Sequence, residues 1–244
     1  MISARPSALS GECSLSDTTN ASVEMPALSI DVVADFVCVW CHVGTARLQA
    51  ALAALAEQRP DVQVVLRHRP FLLDADMPDA GHAYHEHLVR KFGSMAAVKG
   101  LQAQVSAAAE GSGAHFNFAA ISRRPSTVKA HRLILRLQNA GAEAGRVDAL
   151  VAAIFRAYFE QGQDIGRSEV LAALAADAGL GAPDLAAWLD GAELADDVQR
   201  QHHAISARGV NGVPCFILND SVGLSGAQPA EVLLRAMRDA LPAG

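Results

Sequence analysis

The sequence predicts an α/β protein in which a β-α-β opening and a β-β-α close are separated by a large all-helical insertion. Three observations carry this. Strand-length apolar runs occur at "LSIDVVADFVC" and "DVQVVLRHRPFLL". Strand signals vanish between about Pro78 and Asp190, where helical spacing takes over. Two short apolar runs then flank an Asn-Asp turn ahead of a last helix-like stretch.

Residues 1–26 are rich in Ser, Thr and Asn without periodicity and predict a flexible leader. Cys13 falls there, where no fixed environment lowers a thiol's pKa, and an exposed thiol without consequence is expected. Residues 27–77 open one domain. After the first strand, "VWCHVGTARLQAALAALAEQ" carries Leu48, Leu52 and Leu55 at helical spacing. In the second strand Val62, Val64 and Leu66 alternate, and Pro70 marks its end.

Residues 78–190 form the predicted helical insertion. In "RVDALVAAIFRAYFEQG" the residues Val147, Leu150, Val151, Ile154, Phe155 and Tyr158 share one face, and Gly162 supplies the stop. Further helices are expected at Ser126–Gln138, with Ser126 or Thr127 as N-cap, at Arg167–Ala178 and at Pro183–Asp190. Residues 191–244 return to the first domain. There "GVPCFILND" and "VGLSG" predict a hairpin, and "AQPAEVLLRAMRDAL" a closing helix with Pro229 in its first turn.

A chain of 244 residues that is 51% hydrophobic can bury a substantial core. The net charge of −6 argues against a nucleic-acid partner, and the one basic clump, "RHRPF", is too short to track a phosphate backbone. No apolar run is long enough to cross a bilayer, so no membrane partner is expected. The N-terminus lacks the unbroken apolar stretch of a secretory signal, which predicts a cytoplasmic address.

The chemistry-bearing motif is "CVWC", Cys38 to Cys41, where the first strand gives way to a helix. Cys38 falls at the helix N-terminus, whose unpaired N–H groups and positive dipole end favour a thiolate; Cys41 lies one turn in and is more shielded. That asymmetry suits dithiol exchange, with Cys38 as nucleophile and Cys41 as resolving thiol. A zinc clip would need two more ligands, for which only His42 and the "QHH" at Gln201–His203 are candidates by type. Two core cysteines are the other alternative. Redox is favoured over both, with no metal and no bound organic cofactor.

This element order, together with "CVWCHVG", "RPFLLD", "STVKAHRL", "FRAYFEQGQDI", "EVLAALAADAGL", "GVNGVPCF" and "VGLSGAQPAEVLLRAM", resembles the DsbA family and its FrnE-like branch. The resemblance covers about residues 28–241 and implies a thioredoxin-like fold carrying a large helical insertion. It implies that Pro214 is a cis-proline facing the cysteine pair, with the backbone of Val213 turned outward to pair with an extended substrate. Two departures stand out: Val39 where the family commonly has Pro, and Ser126 where it often has Asn near the insertion helix lining the cleft.

Other residues have a functional and a plain reading. Trp40 either shapes an apolar substrate face or packs on the insertion. His131 either bonds across the cleft or is a satisfied polar residue on a half-buried helix. Ser225 and Gly226, before the last helix, either offer N–H groups to a peptide or glutathione carboxylate or form a simple turn. Cys215, after Pro214, is expected to be a small buried hydrophobe, with a third redox thiol as the sharper reading.

The function expected is thiol–disulfide oxidoreduction of a protein or small-molecule thiol or disulfide, with glutathione admitted as co-substrate. Kappa-class glutathione transferases and hydroxychromene-carboxylate isomerases look similar in architecture but typically carry serine at the first cysteine. A redox-sensing, chaperone-like binding module is the non-enzymatic alternative.

Overall fold

The computed structural model describes residues 26–242; Cys13 and almost all of the expected leader lie outside the described residues. In chain order the elements are β1 (Ala27–Ala34), α1 (Val39–Gln58), β2 (Gln63–Pro70), β3 (His82–Ala83), α2 (Tyr84–Phe92) and α3 (Met95–Ala109). Then come β4 (Arg123–Arg124), α4 (Val128–Asn139), α5 (Ala144–Phe159), α6 (Ser168–Asp177), α7 (Leu185–Asp190) and α8 (Ala195–Ala207). The chain closes with β5 (Cys215–Leu218), β6 (Val222–Ser225) and α9 (Ala230–Asp239).

The main sheet has the order β2-β1-β5-β6. β1 lies in its interior, which is why "IDVV" is apolar with little alternation. β2 pairs parallel to it, Ile30 opposite Leu66, and β5 antiparallel, Val32 opposite Phe216. Its one buried acid, Asp31, bonds Arg67 Nε at 2.5 Å and Arg69 Nε at 3.1 Å; the basic clump of the sequence thus neutralises a buried carboxylate. β5 and β6 form the expected hairpin, with Asn219 and Asp220 in the left-handed conformation its turn requires.

The two largest buried clusters belong to the sheet and to the insertion. Leu28, Ile30 and Phe216 of the sheet pack on Leu48 and Leu55 of α1 and on Leu233 and Met237 of α9. The second core holds Leu133, Ile154, Phe155, Leu171 and Leu189 of α4–α7, and it also takes in Phe36, Cys38 and Cys41. The cysteine turn therefore lies at the seam between sheet and insertion. This is the thioredoxin-like α/β fold with a large helical insertion that the sequence predicts.

Several details differ from expectation. α4 begins at Val128; Thr127 occupies the N-cap position without a side-chain bond to the helix, and Ser126 is buried before it rather than capping. Pro229 is the N-cap of α9, outside its first turn. Within the stretch expected to lack strands, β3 and β4 form an antiparallel ladder with His82 opposite Arg124. Two-residue strands carry no readable period, which explains the omission.

Candidate active site

The chain turns at the end of β1 through Asp35–Cys38, closed by the Cys38 N–H on the Asp35 carbonyl at 3.0 Å. Side chains from distant parts of the chain hold this turn. The Asp35 carboxylate accepts the Leu73 N–H at 2.8 Å. Arg124 donates to the Val37 carbonyl at 2.9 Å and pairs with Asp74. Cys38 is the N-cap of α1, with extended backbone angles of φ −88° and ψ 114°. Its thiol thus lies beside the free N–H groups of the first turn.

The two thiols are free and sit in unequal surroundings. A hydrogen bond from the Cys41 thiol, joined by the N–H groups of Cys41 and Trp40, pulls Cys38 below its ordinary pKa against burial and the Asp35 charge. Burial first, then the bond and charge of Cys38, push Cys41 well above its ordinary value. Cys38 can therefore hold a thiolate that Cys41 stabilises while staying protonated.

The Val213–Pro214 peptide bond is cis. The Cys38 thiol donates to the Val213 carbonyl at 3.6 Å, which sets the cysteine turn against the segment before β5. Gly44 makes this approach feasible, since a Cβ there would stand 2.8 Å from Pro214 Cγ. Cys215 points to the opposite face of β5 among Val33, Phe71 and Ile205, and burial raises its pKa.

Beside Cys38 opens a cavity of about 410 Å³. Val37, Cys38, Trp40 and Val213 line one side, and α2 and α3 of the insertion form the other. Trp40 is 39% exposed here, so it faces this space and does not serve as core. Ser225, Gly226, Ser126 and His131 are not part of the cavity wall. The N–H of Gly226 is taken by the Pro214 carbonyl at 2.8 Å and Ser225 is paired with Cys215 in the sheet, an arrangement that matches the simple-turn reading of this stretch. His131 is buried and faces Asp35, with 3.6 Å between Nε2 and Oδ1.

The model of the DSBA-like thioredoxin domain matches residues 29–238. The chain belongs to the DSBA-like thioredoxin family. Among its relatives, the Bacillus subtilis protein YwbO is 27% identical over 214 residues, covering 86% of this chain and 96% of that protein. The probable DsbA oxidoreductase SCO1869 from Streptomyces coelicolor is 33% identical, with a TM-score of 0.74 over 87% of this chain and 89% of the other. The cytosolic disulfide reductase DsbM from Pseudomonas aeruginosa, solved with GSH, is 20% identical, with a TM-score of 0.59 over 86% and 98% of the two chains; it shares the fold.

For this DSBA-like protein, the cysteine pair at the helix N-terminus is the machinery of a thiol–disulfide oxidoreductase. Among the described residues no group of three or more His, Cys, Asp or Glu converges to hold a metal ion, and no helix is long and apolar enough to cross a membrane. Sequence reasoning overlooked Asp35, Gly44, Asp74 and Arg124. Asp35 had a signal, as an acid amid apolar strand residues three positions before Cys38. Arg124 had none, because its contact with Val37 spans 87 positions.

Proposed function

We propose that the protein reduces disulfides with the Cys38–Cys41 dithiol, Cys38 as nucleophile and Cys41 as resolving thiol. The observation that carries this reading is the inequality of the pair: the stabilised thiolate lines the cavity, and the thiol kept protonated is fully buried behind it. The Cys38 thiolate attacks one sulfur of R–S–S–R′, forming Cys38–S–S–R and expelling R′S⁻, which takes up a proton. Cys41 loses its proton and attacks the Cys38 sulfur, releasing RS⁻ and leaving the Cys38–Cys41 disulfide. The substrate gains two electrons and the dithiol loses two.

Two molecules of a monothiol such as glutathione, or one dithiol, return the electrons. A reducing cytosol favours this net direction, in keeping with the cytoplasmic address expected from the sequence. The backbone of Val213 and the indole of Trp40 hold the incoming disulfide against Cys38.

The test is turnover of hydroxyethyl disulfide with glutathione or dithiothreitol as electron source. Wild type is expected to turn over and Cys38→Ser to be inactive. Cys41→Ser is expected to stall as a mixed disulfide on Cys38, visible by intact mass. Activity surviving Cys38→Ser would overturn the assignment.

A further inference from the structure

Cys38 is only 7% exposed and forms part of the wall of the 410 Å³ cavity, so a disulfide must enter that cavity to meet the sulfur. The volume is that of a small-molecule site, and a folded protein surface does not fit into it. Among the described residues, six large apolar side chains remain exposed, and four of them, Trp40, Leu73, Phe92 and Leu101, line this one cavity. Scattered exposure needs no explanation, whereas four around one thiol form a contiguous apolar wall.

The charge on the wall has one sign. No aspartate or glutamate lines the cavity, while Lys91 and Arg124 do. Arg124 is committed to Asp74 and to the Val37 carbonyl. Lys91 forms a loose ion pair with Asp74, 3.9 Å from Nζ to Oδ1 and beyond hydrogen-bond reach, so its ammonium keeps its donors free at the rim. His87 also lines the space, and burial lowers its pKa, which keeps it neutral at pH 7.

From this wall we infer that the substrate is a small disulfide whose halves are each an apolar, preferably aromatic, body bearing one carboxylate, with the body of one half against Trp40, Phe92 and Leu101 and its carboxylate at Lys91. The inference rests on the dithiol reading of Cys38 and Cys41 and follows its electron balance: R–S–S–R enters, two RSH leave, and the enzyme disulfide is returned to dithiol by dithiothreitol or glutathione. Glutathione disulfide, with two charged tripeptides and little apolar surface, suits this wall poorly.

The test compares three probes: the disulfides of para-mercaptobenzoic acid and of para-mercaptobenzamide, and glutathione disulfide. Rates of oxidation of the reduced enzyme are each divided by the probe's rate with free dithiothreitol, which removes intrinsic reactivity. Expected is the order benzoate, benzamide, glutathione, with the benzoate favoured over the benzamide by about fivefold, the worth of one accessible ion pair. Lys91→Gln should bring that ratio to near one, and Phe92→Ala should slow both aromatic probes by about tenfold.

Equal normalised rates for benzoate and benzamide, or glutathione disulfide ranking first, would overturn the substrate inference and leave the dithiol reading standing. Faster normalised reaction with insulin than with any probe would likewise replace the small molecule with a protein substrate. If none of the probes, nor insulin, oxidises Cys38 and Cys41, the dithiol reading itself fails.

Discussion

Asp35 and His131 face each other across 3.6 Å, Oδ1 to Nε2, in the interior beneath the cysteine turn, and neither atom has a hydrogen-bond partner. Burial works to raise the Asp35 pKa, but the close approach of His131, the charge of Arg124 and the Leu73 N–H outweigh it and hold the carboxyl below its ordinary value. Asp35 is therefore an anion at neutral pH. Its charge opposes the thiolate at both Cys38 and Cys41.

Asp35→Asn removes that opposition, so the pH profile of Cys38 alkylation should move to lower pH, as read by iodoacetamide rates and peptide mass. An unchanged or upward-moved profile would contradict the electrostatic role. A carboxyl whose pKa is depressed by folding stabilises above its unfolded pKa and loses that contribution as pH falls through the folded value. The variant should therefore be less stable than wild type at pH 7 by about 1–3 kcal/mol, and the gap should narrow below about pH 4. Urea unfolding at the two pH values measures both.

Arg124 ties the turn to the insertion through Val37 and Asp74. Arg124→Met leaves the Val37 carbonyl and the half-buried Asp74 without this partner, at a cost of about 2–4 kcal/mol in denaturant unfolding. Arg124→Lys should recover little of it, since one ammonium cannot match the two-sided reach of a guanidinium. Stability within about 0.5 kcal/mol of wild type for Arg124→Met would show that the turn holds without it.

Gly44 sets the distance between α1 and the segment carrying Val213 and Pro214. Gly44→Ala gains about 1 kcal/mol of helix propensity but drives a methyl to within 2.8 Å of the Pro214 ring, a rigid neighbour, and overpacking of that kind costs about 1–3 kcal/mol. The expected signature is a rate of disulfide exchange reduced by about tenfold, with a smaller change in melting temperature. A variant with wild-type exchange and raised stability would show that the segment yields without consequence.

Cys215 is buried on the far face of β5, and burial raises its thiol pKa. In the folded protein it should resist alkylation at pH 8 while Cys38 reacts, and Cys215→Ala should leave turnover unchanged at a stability cost of about 1 kcal/mol. Peptide mapping after brief iodoacetamide treatment decides between this and a third exchanging thiol.

The parts of the fold and site that have a local period or a local motif were legible in the sequence. α5 buries Val147, Leu150, Val151, Ile154, Phe155 and Tyr158, the face that spacing predicts, and the Asn219–Asp220 turn has the backbone its residues favour. The unequal cysteines followed from the position of Cys38 at a helix start. What was illegible depends on contact at long range. α8 buries only Val198 and Ile205 and starts after Leu194 in a left-handed conformation, so neither its stripe nor its cap marks it. The apolar wall beside Cys38 is assembled from Trp40, Leu73, Phe92 and Leu101, which lie on separate segments and show no shared pattern along the chain.

The most direct test of the dithiol cycle is a redox titration of the purified protein in glutathione buffers, quenched with an alkylating agent and read by peptide mass. Cys38 and Cys41 are expected to convert together, as one two-electron couple, while Cys215 stays reduced throughout. A pair that stays reduced across the range, or a stable glutathione adduct on Cys38 with Cys41 still a thiol, would contradict the dithiol cycle.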